Sequence, residues 1–451
     1  MEGRRAIVYK RAMFEPRLLN GPLTRALVFE NPDRVLDDLL YKAGFNEVHR
    51  VEKTPDKARL LQLIDGVRPH VIFKRSRLEI DEEVLEHAGE LFAVMLCCIG
   101  DDSVDKQAAA DRGVLVLNDP RSNGRSVAEL IIGQVLMGAR RIPQAWAETR
   151  DNRWGKSATG RFEVKGKTLG ILGLGHIGKQ VARLAEGFGL DIVFFDNDES
   201  AVAVGETFEW TPTRSAEELF EASDFLTVHV SATDLGGASN TGLIERDWLM
   251  ALGRKRPDDS PRVLINAGRG NLLDPADLRE AVAADRVRQA FIDVHPDEPQ
   301  SGVVEWANPY HDVPEVHCTP HIGAATRDAQ PRIASKMART ARLFSARALV
   351  EDCVFAPKRR IEVPGIVGNT VLAVVHADVR GTKKAVDDAI YAAGVDNLES
   401  AHRDFRQYGI AYDLSVIDRP LTDAQIQGLI QGARTLTGRA DAIRSVRQIT
   451  V

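Results

Sequence analysis

The 451-residue chain has few cysteines and no long apolar run. Its four cysteines form no Cys-x-x-Cys pair and no histidine lies at zinc-finger spacing, so we expect no metal site. Scattered thiols in a chain of this length are typical of a reducing compartment. No apolar run approaches the roughly 20 residues that span a bilayer. The basic residues between Arg4 and Arg11 are not followed by the apolar stretch of a secretory signal. We therefore expect a cytoplasmic protein without a membrane partner.

An excess of positive charge is also missing. The chain has 59 Lys and Arg residues against 65 Asp and Glu residues, which gives a formal net charge of −6. This balance argues against nucleic acid as the main partner. Apolar residues make up 44% and charged residues 27%, as in ordinary globular proteins. The length allows two or three domains with sizeable cores.

Short apolar runs alternate with helical patterns along most of the chain. A first series of five runs lies within residues 26–117, and a second series of six lies within residues 168–319. Buried strands that alternate with helices predict parallel sheets covered on both faces. Between the two series, Ser126 and Glu129 have the spacing of a capping box, which predicts that a long helix begins near Ser126.

The C-terminal part of the chain follows a different order. A link punctuated by proline and glycine, residues 356–365, predicts a domain boundary. Residues 371–450 then predict strand, helix, strand, strand, helix and strand. This βαββαβ order is typical of a small ferredoxin-like unit.

A glycine motif indicates a dinucleotide site. Gly173, Gly175 and Gly178 form a Gly-x-Gly-x-x-Gly pattern that follows the predicted strand 168–172 and opens a helical pattern. Such a turn brings the backbone and the helix N-terminus close to a pyrophosphate, although a tight turn without a ligand is the alternative. Asp196 ends the next strand, where a carboxylate can accept hydrogen bonds from ribose hydroxyls and would repel a 2′-phosphate. The sequence therefore favours NAD over NADP.

Three ionisable residues follow later strands of the same series. They are Arg269, Glu298 and His321. Because ligands of doubly wound sheets bind beyond the carboxyl ends of the strands, we expect these side chains near one another. Each alone has an ordinary alternative, namely a surface turn, a loop cap and a buried core histidine. Their order after a glycine motif favours a catalytic site.

The ordered motifs resemble those of the D-2-hydroxyacid dehydrogenases, and most closely the D-3-phosphoglycerate dehydrogenases of the short type with a C-terminal ACT domain. The resemblance covers residues 26–350 and continues more weakly to the C-terminus. It is carried by residues 99–100, 122–129, 154–156, 167–178, 265–270, 293–299 and 319–323.

This resemblance implies an α/β fold with two doubly wound parallel-sheet domains. Residues 25–123 and 322–350 would form a flavodoxin-like substrate-binding domain, into which a Rossmann NAD-binding domain, residues 124–321, is inserted. Residues 368–451 would form a ferredoxin-like ACT domain with a regulatory role. The resemblance also implies a homo-oligomer, either a dimer or a tetramer, and a cleft that closes on the substrate.

The resemblance also implies roles for the three ionisable residues. His321 would exchange a proton with the C2 oxygen, Glu298 would orient His321, and Arg269 would hold the substrate carboxylate. Asp293 would bind the nicotinamide carboxamide. The residues expected to bind NAD are Gly173, Gly175, His176, Ile177, Gly178, Asp196, His229, Ala267, Asp293 and Gly323.

A phosphorylated substrate would need further contacts. The resemblance implies that Arg75, Ser76, Asn123 and Lys156 contact it together with Arg269. A solvated basic loop around Arg75 is the alternative. Residues 101–103 read Asp-Asp-Ser where close relatives have Thr-Asn-Gln, and the added carboxylates would weaken phosphate binding.

The C-terminal unit has a partial match to an effector-binding loop of its relatives, whose pattern is His-x-Asn-x-Pro-Gly. Here His376 and Gly381 match, whereas Asp378 and Arg380 replace the asparagine and the proline. An amino-acid effector site is one interpretation of this loop. A purely structural dimerisation module is the other.

The leading functional hypothesis is NAD-dependent oxidation of 3-phospho-D-glycerate to 3-phosphohydroxypyruvate, the first step of L-serine biosynthesis. An enzyme that reduces another 2-oxo acid, such as 2-oxoglutarate or hydroxypyruvate, is the alternative. A non-enzymatic NAD-sensing corepressor is a third hypothesis, because the same fold serves that role. Turnover of any 2-hydroxy acid would separate the enzymes from the corepressor.

Overall fold

The computed structural model describes residues 14–234, 238–299, 305–356 and 359–451. The basic residues between Arg4 and Arg11, and residues 357 and 358 of the predicted link, lie outside this range. The chain divides into two compact units: residues up to Asp119 together with Ala334–Val451 form the first, and Pro120–Ile333 form the second. Within the described ranges, no helix is both long and apolar enough to cross a membrane.

The first unit begins with a short strand and a parallel sheet. Its first elements are β1 (Arg17–Asn20), β2 (Arg25–Phe29), α1 (Val35–Lys42), β3 (Glu47–Val51), α2 (Lys57–Val67), β4 (Val71–Lys74), α3 (Glu82–His87), β5 (Ala93–Leu96), α4 (Lys106–Asp111) and β6 (Leu115–Asn118). The sheet has the order β3-β2-β4-β5-β6, and all its strands are parallel. Asp56, Asp81 and Asp105 start α2, α3 and α4, because each carboxylate accepts a backbone hydrogen bond three residues later.

The second unit contains a seven-stranded parallel sheet. Its elements are α5 (Gly124–Arg140), α6 (Ile142–Arg150), β7 (Thr168–Leu172), α7 (His176–Glu186), β8 (Asp191–Phe195), α8 (Glu199–Thr207), β9 (Thr211–Pro212), α9 (Ala216–Ala222), β10 (Phe225–Val228), α10 (Arg246–Ala251), β11 (Val263–Asn266), α11 (Pro275–Ala283), β12 (Gln289–Ile292) and β13 (Val316–Cys318). The order is β13-β12-β11-β10-β7-β8-β9, and all pairs are parallel. The order reverses between β7 and β10, which makes the carboxyl ends of these strands the expected ligand site.

The long helix predicted to begin near Ser126 is present, but its N-terminal cap differs from the prediction. Helix α5 begins at Gly124, and the predicted capping box does not form. Ser126 lies inside the helix, where its hydroxyl oxygen is 2.8 Å from Oγ1 of Thr326. Glu129 accepts a hydrogen bond from Arg125 instead of from the backbone. The Ser126 hydroxyl therefore contacts a residue 200 positions away and does not form the capping box that the local sequence predicts.

The first unit continues with the C-terminal elements. They are α12 (Ala329–Arg347), β14 (Val350–Glu351), β15 (Arg360–Ile361), β16 (Thr370–Ala377), α13 (Thr382–Ala392), β17 (Asn397–Phe405), β18 (Ile410–Ile417), α14 (Asp423–Thr437) and β19 (Ile443–Thr450). Elements β16 to β19 have the predicted βαββαβ order, and their strands pair antiparallel. The sheet gains a fifth strand that we did not predict, because β1 pairs in parallel with β19.

Both faces of the C-terminal sheet are covered over β16, β18 and β19, whose residues are almost all buried. One face packs on α13 and α14 in a common apolar core. From the other side, buried Arg17, Arg444 and Arg447 donate to carbonyl groups at or just past the last turns of α3, α4 and α12. Cations favour helix C-termini, where carbonyl groups lack partners. These hydrogen bonds, in addition to the covalent chain, therefore connect the sheet to the rest of the first unit.

Candidate active site

The three ionisable residues follow three strands that lie side by side in the second unit. Arg269 follows β11, Glu298 follows β12 and His321 follows β13. Because the strands are parallel, their carboxyl ends share one edge of the sheet. The fold therefore places the three residues on neighbouring loops.

His321 and Glu298 form a hydrogen-bonded pair. Nδ1 of His321 is 2.7 Å from Oε2 of Glu298, and the other carboxylate oxygen accepts from the backbone N–H of His295 at 3.0 Å. The hydrogen bond to Glu298 raises the pKa of His321, while burial and the charge of Arg269 act in the opposite direction. Burial would raise the pKa of Glu298, but the contact with His321 outweighs it and the pKa is lowered. With Nδ1 engaged, Nε2 is the nitrogen that can reach a ligand.

The backbone at His321 is held in an unusual conformation. Its φ is +54°, a value that costs a residue other than glycine about 1–3 kcal/mol. Asp293, which is 1% exposed, stabilises this turn. Its carboxylate accepts from the N–H groups of Ile322 and Gly323 at 2.9 and 2.8 Å and from the hydroxyl of Thr319 at 2.5 Å. Asp293, predicted to bind the nicotinamide carboxamide, therefore also positions His321.

The turn that carries Arg269 is fixed by Asn266, the last residue of β11. The Asn266 side chain donates to the carbonyl of Arg269 at 3.1 Å and accepts from the N–H of Gly268 at 3.0 Å. A Cβ atom at Gly270 would lie 2.0 Å from the carbonyl carbon of His295, so glycine allows this turn to lie against the loop of Glu298. We did not predict Asn266, although its place at a strand end is a signal that could have found it.

The glycine motif lies between β7 and α7. A Cβ atom at Gly178 would lie 2.3 Å from the carbonyl oxygen of Gly173, so the close approach of helix and turn requires glycine. Gly175 is the N-cap of α7, and a Cβ atom there would meet nothing within 4 Å. His176 and Ile177 form the first turn, and Ile177 packs on the apolar core. The open space at Gly175, beside the N-terminus of α7, fits a pyrophosphate.

Asp196 ties the loop after β8 to the glycine loop. Its Oδ2 accepts from the N–H of Leu174 at 2.7 Å, and its Oδ1 accepts from the N–H of Asp198 at 2.9 Å. These bonds fix the carboxylate, and each oxygen has capacity for a further donor. The residues present thus fit a dinucleotide whose ribose hydroxyls are free.

Two further predicted cofactor residues lie on the same edge of this sheet. His229 directly follows β10, and its N–H donates to the carbonyl of Leu172 at 2.8 Å. Burial lowers the pKa of its imidazole to about 3, so the ring is neutral. Ala267 follows β11 and packs on the apolar core of this unit.

The predicted substrate residues are distributed over both units. Asn123 and Lys156 belong to the second unit, where Asn123 is 5% exposed and Lys156 is exposed. The Oδ1 atom of Asn123 is buried and has no hydrogen-bond partner within the described ranges. Arg75 and Ser76 belong to the first unit, in the loop after β4.

Two residues that we did not predict shape the loop after β4. The carboxylate of Glu30 accepts from the N–H groups of Arg75 and Arg77 at 2.6 and 2.7 Å, and from that of Leu78 at 2.9 Å. Lys74 is fully buried, and its ammonium group donates to Ser103 at 2.5 Å. Burial lowers the pKa of Lys74, and the charge of Glu30 opposes that shift.

The predicted effector residues lie at the end of β16 and directly after it. His376 lies inside β16, the first strand predicted for the C-terminal unit, and is 1% exposed. Asp378 follows the strand, and its N–H donates to the carbonyl of Gly409 at 2.9 Å. Gly381 precedes α13 as its N-cap at a φ of +108°.

The sequence is similar to those of known dehydrogenases. Residues 132–323 match the family described as D-isomer specific 2-hydroxyacid dehydrogenase, NAD binding domain. The D-3-phosphoglycerate dehydrogenase of Haemophilus influenzae is 35% identical over 370 residues, which cover 82% of this chain and 86% of that protein. The protein of the same name from Escherichia coli is 34% identical over 361 residues, with coverages of 79% and 82%.

Solved structures are similar over a shorter stretch. The NADPH-dependent glyoxylate/hydroxypyruvate reductase of Sinorhizobium meliloti, in complex with NADP and malonate, has a TM-score of 0.60 and 28% identity. The match covers 73% of this chain and 96% of that chain. A protein from Thermus thermophilus has a TM-score of 0.59 and 29% identity, with coverages of 70% and 96%.

Proposed function

Because the chain belongs to the family of D-isomer specific 2-hydroxyacid dehydrogenases, we propose that it catalyses the NAD-dependent oxidation of 3-phospho-D-glycerate to 3-phosphohydroxypyruvate, the first step of L-serine biosynthesis. The observation that carries the proposal is the His321–Glu298 pair, 2.7 Å apart on loops next to that of Arg269. The substrate follows from the names of relatives that are 34–35% identical over about four fifths of the chain.

In this proposal the chain's own residues bind the substrate and move one proton. Arg269 holds the substrate carboxylate in a bidentate contact and polarises the C2 oxygen. Nε2 of His321 takes the proton of the C2 hydroxyl as the C2–H bond breaks, which leaves a ketone. Glu298 stabilises the imidazolium that results. When bound, NAD would accept the hydride that leaves C2.

The phosphate of the substrate would contact Arg75, Ser76 and Lys156. Glu30 supports this role for Arg75, because its three hydrogen bonds to backbone N–H groups fix the loop from which Arg75 extends. A fixed loop reduces the conformational entropy that a cation loses on binding an anion. The unpartnered Oδ1 of Asn123 is an acceptor available to a substrate hydroxyl.

A second candidate is the reduction of another 2-oxo acid. The similarity to the glyoxylate/hydroxypyruvate reductase of Sinorhizobium meliloti favours it. NADH oxidation with 3-phosphohydroxypyruvate, hydroxypyruvate, glyoxylate and 2-oxoglutarate separates the two candidates. We expect the highest kcat/KM with 3-phosphohydroxypyruvate and NADH, and a lower value with NADPH because of Asp196. Equal or higher kcat/KM with an unphosphorylated acid would overturn the first candidate, and absence of any turnover would favour the corepressor hypothesis.

We also propose the finer assignments that the resemblance implies. Residues 25–123 with 322–350 bind the substrate, residues 124–321 bind NAD, and residues 368–451 form an ACT-like regulatory unit. The βαββαβ order of the C-terminal elements supports the last of these. The active enzyme would be a homodimer or homotetramer, which the mass of the assembly in solution tests. Four free thiols fit a cytoplasmic enzyme.

A further inference from the structure

Three side chains on adjacent strands of the C-terminal sheet face one another. His376 lies on β16, His402 on β17 and Asp413 on β18, and His402 is directly opposite Asp413 in the strand register. Oδ2 of Asp413 is 2.9 Å from Nε2 of His376, and Oδ1 is 2.6 Å from Nδ1 of His402. One ligand atom from each residue lies within 4.8 Å of the others. We propose that these three residues bind one divalent metal ion, with zinc as the ion that their ligand types favour.

The outer nitrogen of each ring supports this assignment. Nδ1 of His376 is 2.7 Å from the carbonyl oxygen of Ala377, and Nε2 of His402 is 2.6 Å from Oδ1 of Asp404. Both outer partners are acceptors, and so is Asp413 at the inner nitrogens, which leaves a neutral ring with one proton for two acceptors. When that proton lies on the outer nitrogen, the inner nitrogen presents a lone pair to the shared space. Histidines that bind metals show this arrangement, with the second nitrogen donating to a carbonyl or a carboxylate.

The contacts of the Asp413 carboxylate with the two imidazole rings require a positive charge between the ring nitrogen and the carboxylate oxygen. With the outer nitrogens protonated, a ring lone pair faces a carboxylate oxygen at 2.9 Å in one contact and at 2.6 Å in the other. Either each ring carries a second proton, or one divalent ion supplies the same charge to both contacts. Asp413 and His376 are each 2% exposed, which makes an uncompensated carboxylate costly.

The size and chemistry of the cluster fit zinc. Zinc takes imidazole nitrogens and carboxylate oxygens at about 2.0–2.2 Å, so ligand atoms of a tetrahedral site lie roughly 3.3 Å apart. The cluster provides two nitrogens and one carboxylate whose ligand atoms lie within 4.8 Å of one another, so small side-chain shifts suffice to reach that geometry. The His402 side chain is 36% exposed, which gives an ion a route from solvent and leaves room for water as a fourth ligand. Lys383 opposes the ion electrostatically, but it is paired with Asp387 at 2.5 Å.

The sequence did not predict this site, because its residues lie on three strands and share no short motif. The proposal is also independent of the proposed function, since it concerns the C-terminal sheet and binding is measured without a substrate. An ion here would join β16, β17 and β18. Edge strand β17 is mostly exposed, and we expect the ion to stabilise it most.

The test is zinc binding to the full chain after removal of metals with a chelator. We expect equilibrium dialysis against zinc chloride to give one ion per chain and zinc to raise the Tm. His402→Gln should weaken binding by about a hundredfold or more, since it removes a ligand. Asp404→Ala removes only an outer hydrogen bond and should weaken binding by about 10- to 100-fold.

His311→Gln is the matched control. His311 is an exposed histidine whose Nδ1 lies 3.9 Å from Asp312, and its loss should leave binding unchanged. If wild-type protein binds zinc no more tightly than His402→Gln, or if His311→Gln removes the bound ion, the proposal is wrong. Unfolding curves without metal establish that each variant is folded. If His402→Gln does not fold, Asp404→Ala serves instead, and unchanged zinc binding by that variant overturns the proposal.

Discussion

Two histidine–carboxylate pairs of nearly equal length lie in opposite surroundings. His321 and Glu298 are 2.7 Å apart on loops at the ends of strands, with side chains 46% and 35% exposed. His376 and Asp413 are 2.9 Å apart inside a sheet, and both side chains are 2% exposed. His321 has a ring nitrogen that can reach a ligand, whereas both nitrogens of His376 contact protein acceptors. Position in the fold therefore decides which pair can exchange a proton with a substrate.

The comparison also predicts different costs of mutation. A partner of a buried pair cannot be removed without leaving a charge in a poorly solvated place, which costs about 3–5 kcal/mol of folding free energy. A half-exposed pair at strand ends contributes little to folding, because water replaces the missing partner. Variants of His321 should therefore lose activity at little cost in stability.

The largest expected effect is that of His321→Asn. We expect kcat to fall by about 10²- to 10⁴-fold, because a positioned acid–base group contributes that much. The Tm should stay close to that of the wild type. Steady-state kinetics and thermal unfolding measure the two quantities, with His311→Asn as a control that retains both. A variant of His321 that keeps a tenth of wild-type kcat would contradict the proton-transfer role.

Arg269→Lys should have the next largest effect. Lysine keeps the charge but cannot reproduce the planar, bidentate contact of a guanidinium with a carboxylate. We expect kcat/KM to fall at least tenfold, or about 1.4 kcal/mol. Arg279→Lys is a suitable control, because Arg279 makes a bidentate contact with Asp312 at 2.6 and 2.7 Å elsewhere on this unit. Wild-type kinetics in Arg269→Lys would remove Arg269 from the substrate site.

Glu298→Gln should change the pH dependence more than the maximal rate. The Glu298 hydrogen bond and charge raise the pKa of His321, so the variant should lower that pKa. Oxidation needs neutral His321, and its acid limb should move to lower pH. Reduction needs the imidazolium, and its alkaline limb should also move to lower pH. Profiles of kcat/KM in both directions measure this, and limbs that stay in place would contradict the pairing.

The parts of the fold that depend on local pattern were predictable. Strand β7 begins and ends at the predicted residues 168 and 172, because a continuous buried run bounded by turns is visible in the sequence. The strand-end positions of Arg269, Glu298 and His321 follow from the same pattern. The carboxyl ends of parallel strands lie at one edge of the sheet, and this rule is enough to predict that the three residues lie close together.

Features that depend on distant contacts were not predictable. Strand β1 pairs with β19 from the opposite end of the chain, and no local signal marks such a partner. Ser126 has the spacing of a helix cap, yet Thr326 takes its hydroxyl. His376 matches an effector motif, and no local signal shows that Asp413 of another strand contacts its ring nitrogen.

The smallest expected effect concerns the predicted effector loop next to the buried pair. We expect L-serine to inhibit weakly or not at all, because the ring nitrogens of His376 lie 2.7 Å from the carbonyl of Ala377 and 2.9 Å from Asp413. Asparagine can both donate and accept, whereas an ionised Asp378 only accepts and would repel a carboxylate.

Arg380 adds a cation that could bind that carboxylate, but it replaces a proline and so removes the fixed φ of the loop. Losing one hydrogen bond to a charged group costs about 1.5–3 kcal/mol, or roughly ten- to a hundredfold in affinity. A serine titration of NADH-dependent 3-phosphohydroxypyruvate reduction measures the effect. Half-inhibition at low micromolar serine would mean that His376, although buried in the sheet, still contributes to an effector site. Burial would then not distinguish the His376–Asp413 pair from the His321–Glu298 pair.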